Sequence, residues 1–199
     1  MNLKNKFVSW AGFLAAGLGL ALFAGCHHYV VSPIAKNAPD WVNKGNGAFK
    51  DGGQSVFYGV GSVQGIRNIP LAQMSADDRA RGELAKIMND YVATLTKDYM
   101  ASTTAGDMTK SSEEQMVSST MKNFAEFTLH GAVIVDRWVD RSVNPPVYYS
   151  LCKLDMNAVQ DSLNQSKDLN AQIRDYVKND ANKAFDALSA EEAKHNAAN

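Results

Sequence analysis

Hydrophobic and polar residues alternate with three different rhythms along this chain. Near the N-terminus, Phe7 to Phe23 form an apolar run of about 17 residues broken only by small or weakly polar positions. Farther on, Ser55–Ser62 alternates with period two: Val56, Tyr58 and Val60 fall on one face, and Phe57, Gly59 and Gly61 on the other. This reads as a strand whose glycine face is shallow enough for close approach of a helix or another backbone. From Pro70 the period lengthens to that of a helix. Leu84, Ile87, Met88, Tyr91, Leu95 and Tyr99 recur at three- and four-residue steps, and Leu71, Met74 and Ala80 extend the stripe toward the start. Gly82, within this helix, is expected to let it sit close on the sheet. Glu83 and Lys86, three residues apart on the polar side, are placed to pair.

A small-residue loop from Ala101 to Ser112 separates this helix from a second one, about 112–127, with Met116, Val117, Thr120, Met121 and Phe124 on one side. Ser111 precedes Glu114 by three residues in a capping pattern. Ala132–Val139 and Val147–Leu154 alternate again and are joined through Asn144-Pro145-Pro146, which predicts an antiparallel hairpin. Asp155 is placed to cap a final helical region carrying Met156, Val159 and Leu163, then Leu169, Ile173, Tyr176, Val177, Ala184, Phe185 and Leu188. As one helix of about 34 residues, or two joined near Ser166, it would be roughly 50 Å long, longer than a small core covers. It is expected either to pack on a neighbouring subunit or to end in a free arm, and the polar residues from Ala190 onward are expected to be mobile.

The elements together predict an α+β fold, a small antiparallel sheet packed by a long helix with an extended C-terminal helix. The expected division is a leader over 1–25, a tether over 26–38, an α+β domain over 39–156 and a helical extension over 157–199.

The N-terminal run changes this picture most. Lys4 and Lys6 precede it, and Leu22-Phe23-Ala24-Gly25-Cys26 closes it with small residues before a cysteine. A positive start, an apolar centre and a small-residue exit make a secretory signal. The cysteine after the exit marks a bacterial lipoprotein precursor, in which Cys26 is acylated and becomes the mature N-terminus. Phe23 departs from the leucine favoured three positions before the cysteine. A run this short lies at the lower edge for spanning a bilayer, whereas two or more acyl chains hold a protein at a membrane surface. With His27 after the cysteine in place of a retention aspartate, the expected address is the outer membrane, tethered on its periplasmic face. Residues 27–38 lack periodicity and read as the tether.

Composition narrows the chemistry. The formal charge is −1 for the whole chain and about −3 once Lys4 and Lys6 leave with the leader, which gives no electrostatic case for nucleic acid. If Cys26 carries lipid, Cys152 has no disulfide partner and reads as a small buried thiol. His27 and His28 lack the further ligands a metal site needs. Gly59-Val60-Gly61 lacks the spacing of a dinucleotide loop and no phosphate-loop lysine follows. Asp136, Arg137, Asp140 and Arg141 read as a solvated strand edge more simply than as catalytic carboxylates. His130, beside Gly131, reads as a surface or packing residue. Trp41, isolated in polar surroundings, plugs the edge of the core or stacks on a ligand. No catalytic or cofactor-binding residue and no metal ligand stands out, so the expectation is a protein that is not an enzyme.

At Pro39-Asp40-Trp41-Val42, Tyr58-Gly59-Val60-Gly61, Ala80-Arg81-Gly82-Glu83-Leu84-Ala85 and Tyr148-Tyr149-Ser150-Leu151 the chain resembles the twenty-kilodalton (Lpp-twenty type) family of small bacterial outer-membrane lipoproteins. The resemblance covers roughly residues 39–156, and the family includes a lipoprotein of flagellar basal disks. It implies a compact α+β domain that assembles into homo-oligomers or rings at the outer membrane, with an envelope or flagellar protein partner. The helical tail after Leu163 departs from that pattern. The readings that follow are a self-assembling structural lipoprotein of the envelope and, as the alternative, a periplasmic binding or regulatory module with Trp41 and the Gly59/Gly61 face lining its site.

Overall fold

A computed structural model of the chain describes residues 37–103, 111–167 and 169–198, all within a compact unit spanning 31–199. Cys26, His27, His28 and the apolar run lie outside the described residues, as do the side chains of the Ser111–Glu114 capping pattern. The element order is α1 (Asp40–Lys44), β1 (Gly47–Asp51), β2 (Gln54–Gln64), α2 (Ile69–Thr103), α3 (Ser111–Thr128), a 3-10 turn at Leu129–Gly131, β3 (Val133–Asp140), β4 (Val147–Asp155), α4 (Met156–Gln165) and α5 (Ala171–Ala198). The strands form one antiparallel sheet in the order β1-β2-β4-β3. The α+β architecture with a long helix on the sheet is therefore as expected.

Glycines in β2 decide how α2 meets the sheet. A Cβ added at Gly59 would collide with the carbonyl oxygen of Ala80 and stand 2.5 Å from the Leu84 nitrogen, and one at Gly61 would collide with Ala76 and Ala80 backbone. The first half of α2 accordingly presents Ala72, Ala76 and Ala80, each fully buried, at four-residue spacing. Leu71 and Met74, expected on this stripe, are instead 45% and 55% exposed, because a larger side chain would hold the helix off the strand. The expectation for Gly82 is likewise corrected. It faces solvent, with nothing within 4 Å of a Cβ placed there, so the sheet's glycines and not the helix's permit the close approach.

Beyond Ala80 the helix moves over larger neighbours and its stripe returns to the expected residues. Leu84, Met88, Tyr91 and Leu95 are fully buried. They join Val117, Met121 and Phe124 of α3, while Met116, expected on the same side, is 57% exposed. Cys152 is buried, as expected, and lies opposite Gly59; among the described residues it is a free thiol, and burial pushes it above the ordinary range.

β1 lies in a polar Gly/Asn/Lys-rich stretch, residues 43–54, whose hydropathy carries no strand signal. It pairs with β2 from Gly47↔Tyr58 to Asp51↔Gln54 around Gly52 and Gly53, whose φ values of 55° and 83° suit the tight two-residue hairpin turn.

The C-terminal region is helical with a long final helix, as expected, and is built as two helices joined near Ser166. What differs is where the long helix packs, which is on its own core and neither on a neighbour nor as a free arm. Asp155 caps α4 by accepting from the Ala158 amide at 2.8 Å. The chain then turns at Ser166, where Arg174 Nη2 donates to the Ser166 and Leu169 carbonyls at 2.7 and 3.1 Å. Asn170 Oδ1 accepts from the Ile173 amide at 2.8 Å and restarts the helix as α5. This break lets α5 fold back, so Leu169, Ile173, Val177, Ala181, Ala184 and Phe185 belong to the main core. Phe185 meets Phe57 edge-on at 5.1 Å between centroids, and Phe57 meets Tyr91 at 5.1 Å. The Tyr91 hydroxyl donates to the Ala181 carbonyl at 3.0 Å, and burial raises its phenol above the ordinary range. Past Ala190, Glu192 accepts from the Ala48 amide at 2.6 Å, tying α5 to the outer edge of β1.

Candidate functional site

The sheet has two unlike faces. One carries Phe57, Gly59, Gly61, Leu154, Cys152 and Ser150 beneath the helices. The other carries Tyr58, Val60, Leu151, Lys153, Tyr149 and, through register with β4, Asp136 and Trp138 of β3. Its aromatic side chains are only half-buried, with Trp138 and Tyr149 in tilted contact at 5.4 Å.

α1 turns this open face into a site. Pro39 starts the helix at a position where its missing N–H is no loss, and the Val42 amide donates to its carbonyl at 3.0 Å. Gly45 ends it at φ 74°, its amide donating to the Trp41 carbonyl at 3.0 Å. Val42 is 1% exposed and anchors this single turn. The geometry delivers Trp41 onto the sheet, where its indole Nε1 donates to Asp136 Oδ2 at 2.8 Å across a sequence separation of 95 residues. The Arg137 amide fixes the other Asp136 oxygen at 2.8 Å. A cavity of about 220 Å³ opens beside the indole, with Asp40, Lys44 and Gly45 on its α1 side and Asp51, Tyr58 and Leu151 on its sheet side.

The polar groups of this cavity hold one another. The Tyr58 hydroxyl donates to Asp51 Oδ2 at 2.6 Å, and Lys153 Nζ lies 3.8 Å from the same oxygen. The Tyr58 hydrogen bond, with Lys153 and Lys44 nearby, lowers the Asp51 carboxyl from its ordinary range. Partial burial, reinforced by the Asp51 carboxylate, pushes the Tyr58 phenol up to about 12. Lys44 Nζ sits 5.1 Å from the centre of the Phe49 ring, and Phe49 meets Tyr58 at 5.9 Å. The site therefore offers one aromatic wall, an apolar floor, and acceptors and donors among which Asp51 is already engaged by Tyr58 and Lys153.

Trp41 is where a binding reading needs it, but Gly59 and Gly61 are not. They lie on the opposite face, filled by α2 backbone, and line no site with Trp41. Asp136, Arg137 and Asp140 are on an edge strand as expected, yet they are more than a solvated edge. Arg137 makes two bonds to Asp77 of α2, at 2.9 and 2.6 Å, and Ser150 Oγ donates to the same carboxylate at 2.6 Å. The Arg137 guanidinium holds the Asp77 carboxyl below its ordinary range. Asp140 is 6% exposed and accepts from the Ser142 amide and hydroxyl. Between Ile134 and Asp136 the register shifts, leaving Val135 as a bulge. His130 is exposed, its Nδ1 2.9 Å from the Phe127 carbonyl oxygen.

The sequence reading missed Asp51, Tyr58 and Lys44 as partners of Trp41. The available signal was Asp51-Gly52-Gly53 between Phe49 and Val56, a hairpin turn that brings these residues together. A larger cleft of about 500 Å³ lies between α2 and α3, lined by Val92, Ala93, Thr96, Met100, Ser118 and Lys122 among others. Among the described residues no three His, Cys, Asp or Glu side chains cluster to hold a metal, and no helix is long and apolar enough to cross a membrane. The chain matches no protein-family model and no curated protein.

Proposed function

We propose that this protein is a lipid-anchored structural component of the bacterial envelope. It is acylated at Cys26, held at the periplasmic face of the outer membrane and self-associated through its α+β domain, with the flagellar basal disk as one setting. The observation that carries this reading is the closing sequence Leu22-Phe23-Ala24-Gly25-Cys26 behind Lys4, Lys6 and an apolar run free of charged residues. Acyl chains on one residue supply the anchor, and residues 27–38 supply reach. Self-association no longer draws on the C-terminal helix, whose apolar stripe serves its own core. It draws on edge strand β3, where Val133 and Val135 are 53% and 48% exposed.

Labelling cells with radioactive palmitate tests the anchor. Label is expected in the full chain and in outer-membrane fractions, and is expected to vanish in Cys26→Ser. Label retained by that variant contradicts the reading. Deleting the gene and scoring swimming while imaging basal bodies separates the settings: lost motility with a missing disk places it in the flagellum, and normal basal bodies place it in the general envelope.

The alternative, a periplasmic binding module for an envelope partner, draws on the Trp41 cavity. There an indole fixed by Asp136 stands with Asp40, Lys44, Asp51 and Tyr58 on an open sheet face.

A further inference from the structure

The Trp41 cavity has a chemistry narrower than "binding". At about 220 Å³ it is smaller than the roughly 300–1,000 Å³ of drug-sized pockets, so it suits one ring-sized unit of a longer ligand. Two carboxylates, Asp40 and Asp51, face it, and the ammonium groups of Lys44 and Lys153 act on Asp51. Asp51 is already engaged by Tyr58 and Lys153, and the other two charged groups of the lining, Asp40 and Lys44, are of opposite sign, so the cavity presents no surplus of one charge to an ionic ligand. A neutral ligand rich in hydroxyl or amide groups meets acceptors and a donor without needing such a surplus. The indole of Trp41 is held by its bond to Asp136, so its ring presents a fixed apolar plane. Such a plane suits a saturated ring whose C–H groups cover one side and whose polar groups project from the rim. Leu151, 5% exposed, floors the cavity.

We propose that this cavity binds one neutral pyranose unit of a glycan strand, stacked on Trp41 and hydrogen-bonded at its rim by Asp40, Asp51 and Lys44. The proposal rests on the binding-module reading and gives it a ligand class; it does not depend on acylation of Cys26.

The test is a titration of the full chain carrying Cys26→Ser, in detergent and with ¹⁵N-labelled tryptophan, against the trimer of N-acetylglucosamine. Saturable binding in the millimolar range is expected of so small a ligand. It should shift the Trp41 indole N–H signal and leave Trp138 in place. Trp41→Ala and Asp51→Asn are each expected to weaken binding about tenfold or more. Trp41→Tyr should recover part of the loss. Asp40→Asn, at an exposed position, probes the rim if Trp41→Ala fails to fold, and is expected to weaken binding about threefold. Absence of saturation overturns the proposal, as does a shift confined to Trp138 or an affinity the variants leave unchanged. Tighter binding of a lysine-containing tripeptide than of the sugar also overturns it, and assigns the cavity to a peptide. Crosslinking in intact envelopes scores partner capture separately. Crosslinks to another protein with no sugar binding would reject the glycan and keep the module, and loss of both would reject the module itself.

Discussion

The two faces of the sheet solve opposite problems with neighbouring residues of the same strand. Toward the helices, β2 offers Gly59 and Gly61, and the Ala72, Ala76 and Ala80 ridge of α2 settles onto them until backbone meets backbone. Toward the other side, Tyr58 and Val60 stand half-buried under a single helical turn that brings Trp41. One face is specified by the absence of side chains and tolerates no addition. The other is specified by large amphipathic rings held by hydrogen bonds, which keep an apolar surface open without letting it collapse. Where shape complementarity is complete, function has no room. The site stands where packing is left unfinished.

Substitutions can break or sharpen this contrast. The largest effect is expected on the closed face: Gly59→Val places atoms inside α2 backbone, which cannot move as a side-chain tip would. It should destabilise by about 3 kcal/mol or more, or abolish cooperative unfolding in urea. A Gly59→Val protein that melts like the parent would refute the close approach. Phe185→Ala follows, at about 3–5 kcal/mol in the same measurement, because Phe185 is fully buried against Phe57. A loss below 1 kcal/mol would return α5 to the status of an appendage.

Arg137→Ala, which frees the edge strand from α2, is expected to lose about 1 kcal/mol, since solvent screens the half-exposed guanidinium. Its pH dependence has a definite sign. Asp77 is held below its ordinary range in the folded chain, so its stabilisation is complete above the unfolded carboxylate value of about 3.9. It disappears as pH falls through the lowered folded value. The gap in urea midpoint between parent and variant should therefore stay constant from pH 5 to 7 and narrow as pH falls below the unfolded carboxylate value of about 3.9. Gly82→Ala is the smallest change and has the opposite direction. On the solvent side of α2, with open space for a methyl group, it should stabilise by up to about 1 kcal/mol.

Much of the closed face was legible in the sequence, because periodicity reports burial directly. The Leu84–Tyr99 stripe, the shallow face of β2, the β3–β4 hairpin and the Asp155 cap are each local patterns. Hydropathy misjudged the first half of α2, where it favours Leu71 and Met74 over three alanines. Size, dictated by glycines on a distant strand, decides there. It also overlooked β1, an edge strand with only Gly47 and Ala48 buried. The return of α5 was hidden because Ser166–Asn170 holds neither glycine nor proline, and side-chain capping makes the turn. Of the open face, Trp41 was visible as an oddity. Its partners were not, because Asp136 lies 95 residues away and Asp51 arrives by way of the unrecognised hairpin.

The central claim, an envelope protein held by lipid on Cys26, has its most direct test in the intact mass of the protein extracted from its own membranes. The account predicts a chain beginning at Cys26, with the added mass of acyl groups that localises to that residue on fragmentation. A chain that retains residues 1–25, or one cut elsewhere and free of lipid, would contradict it.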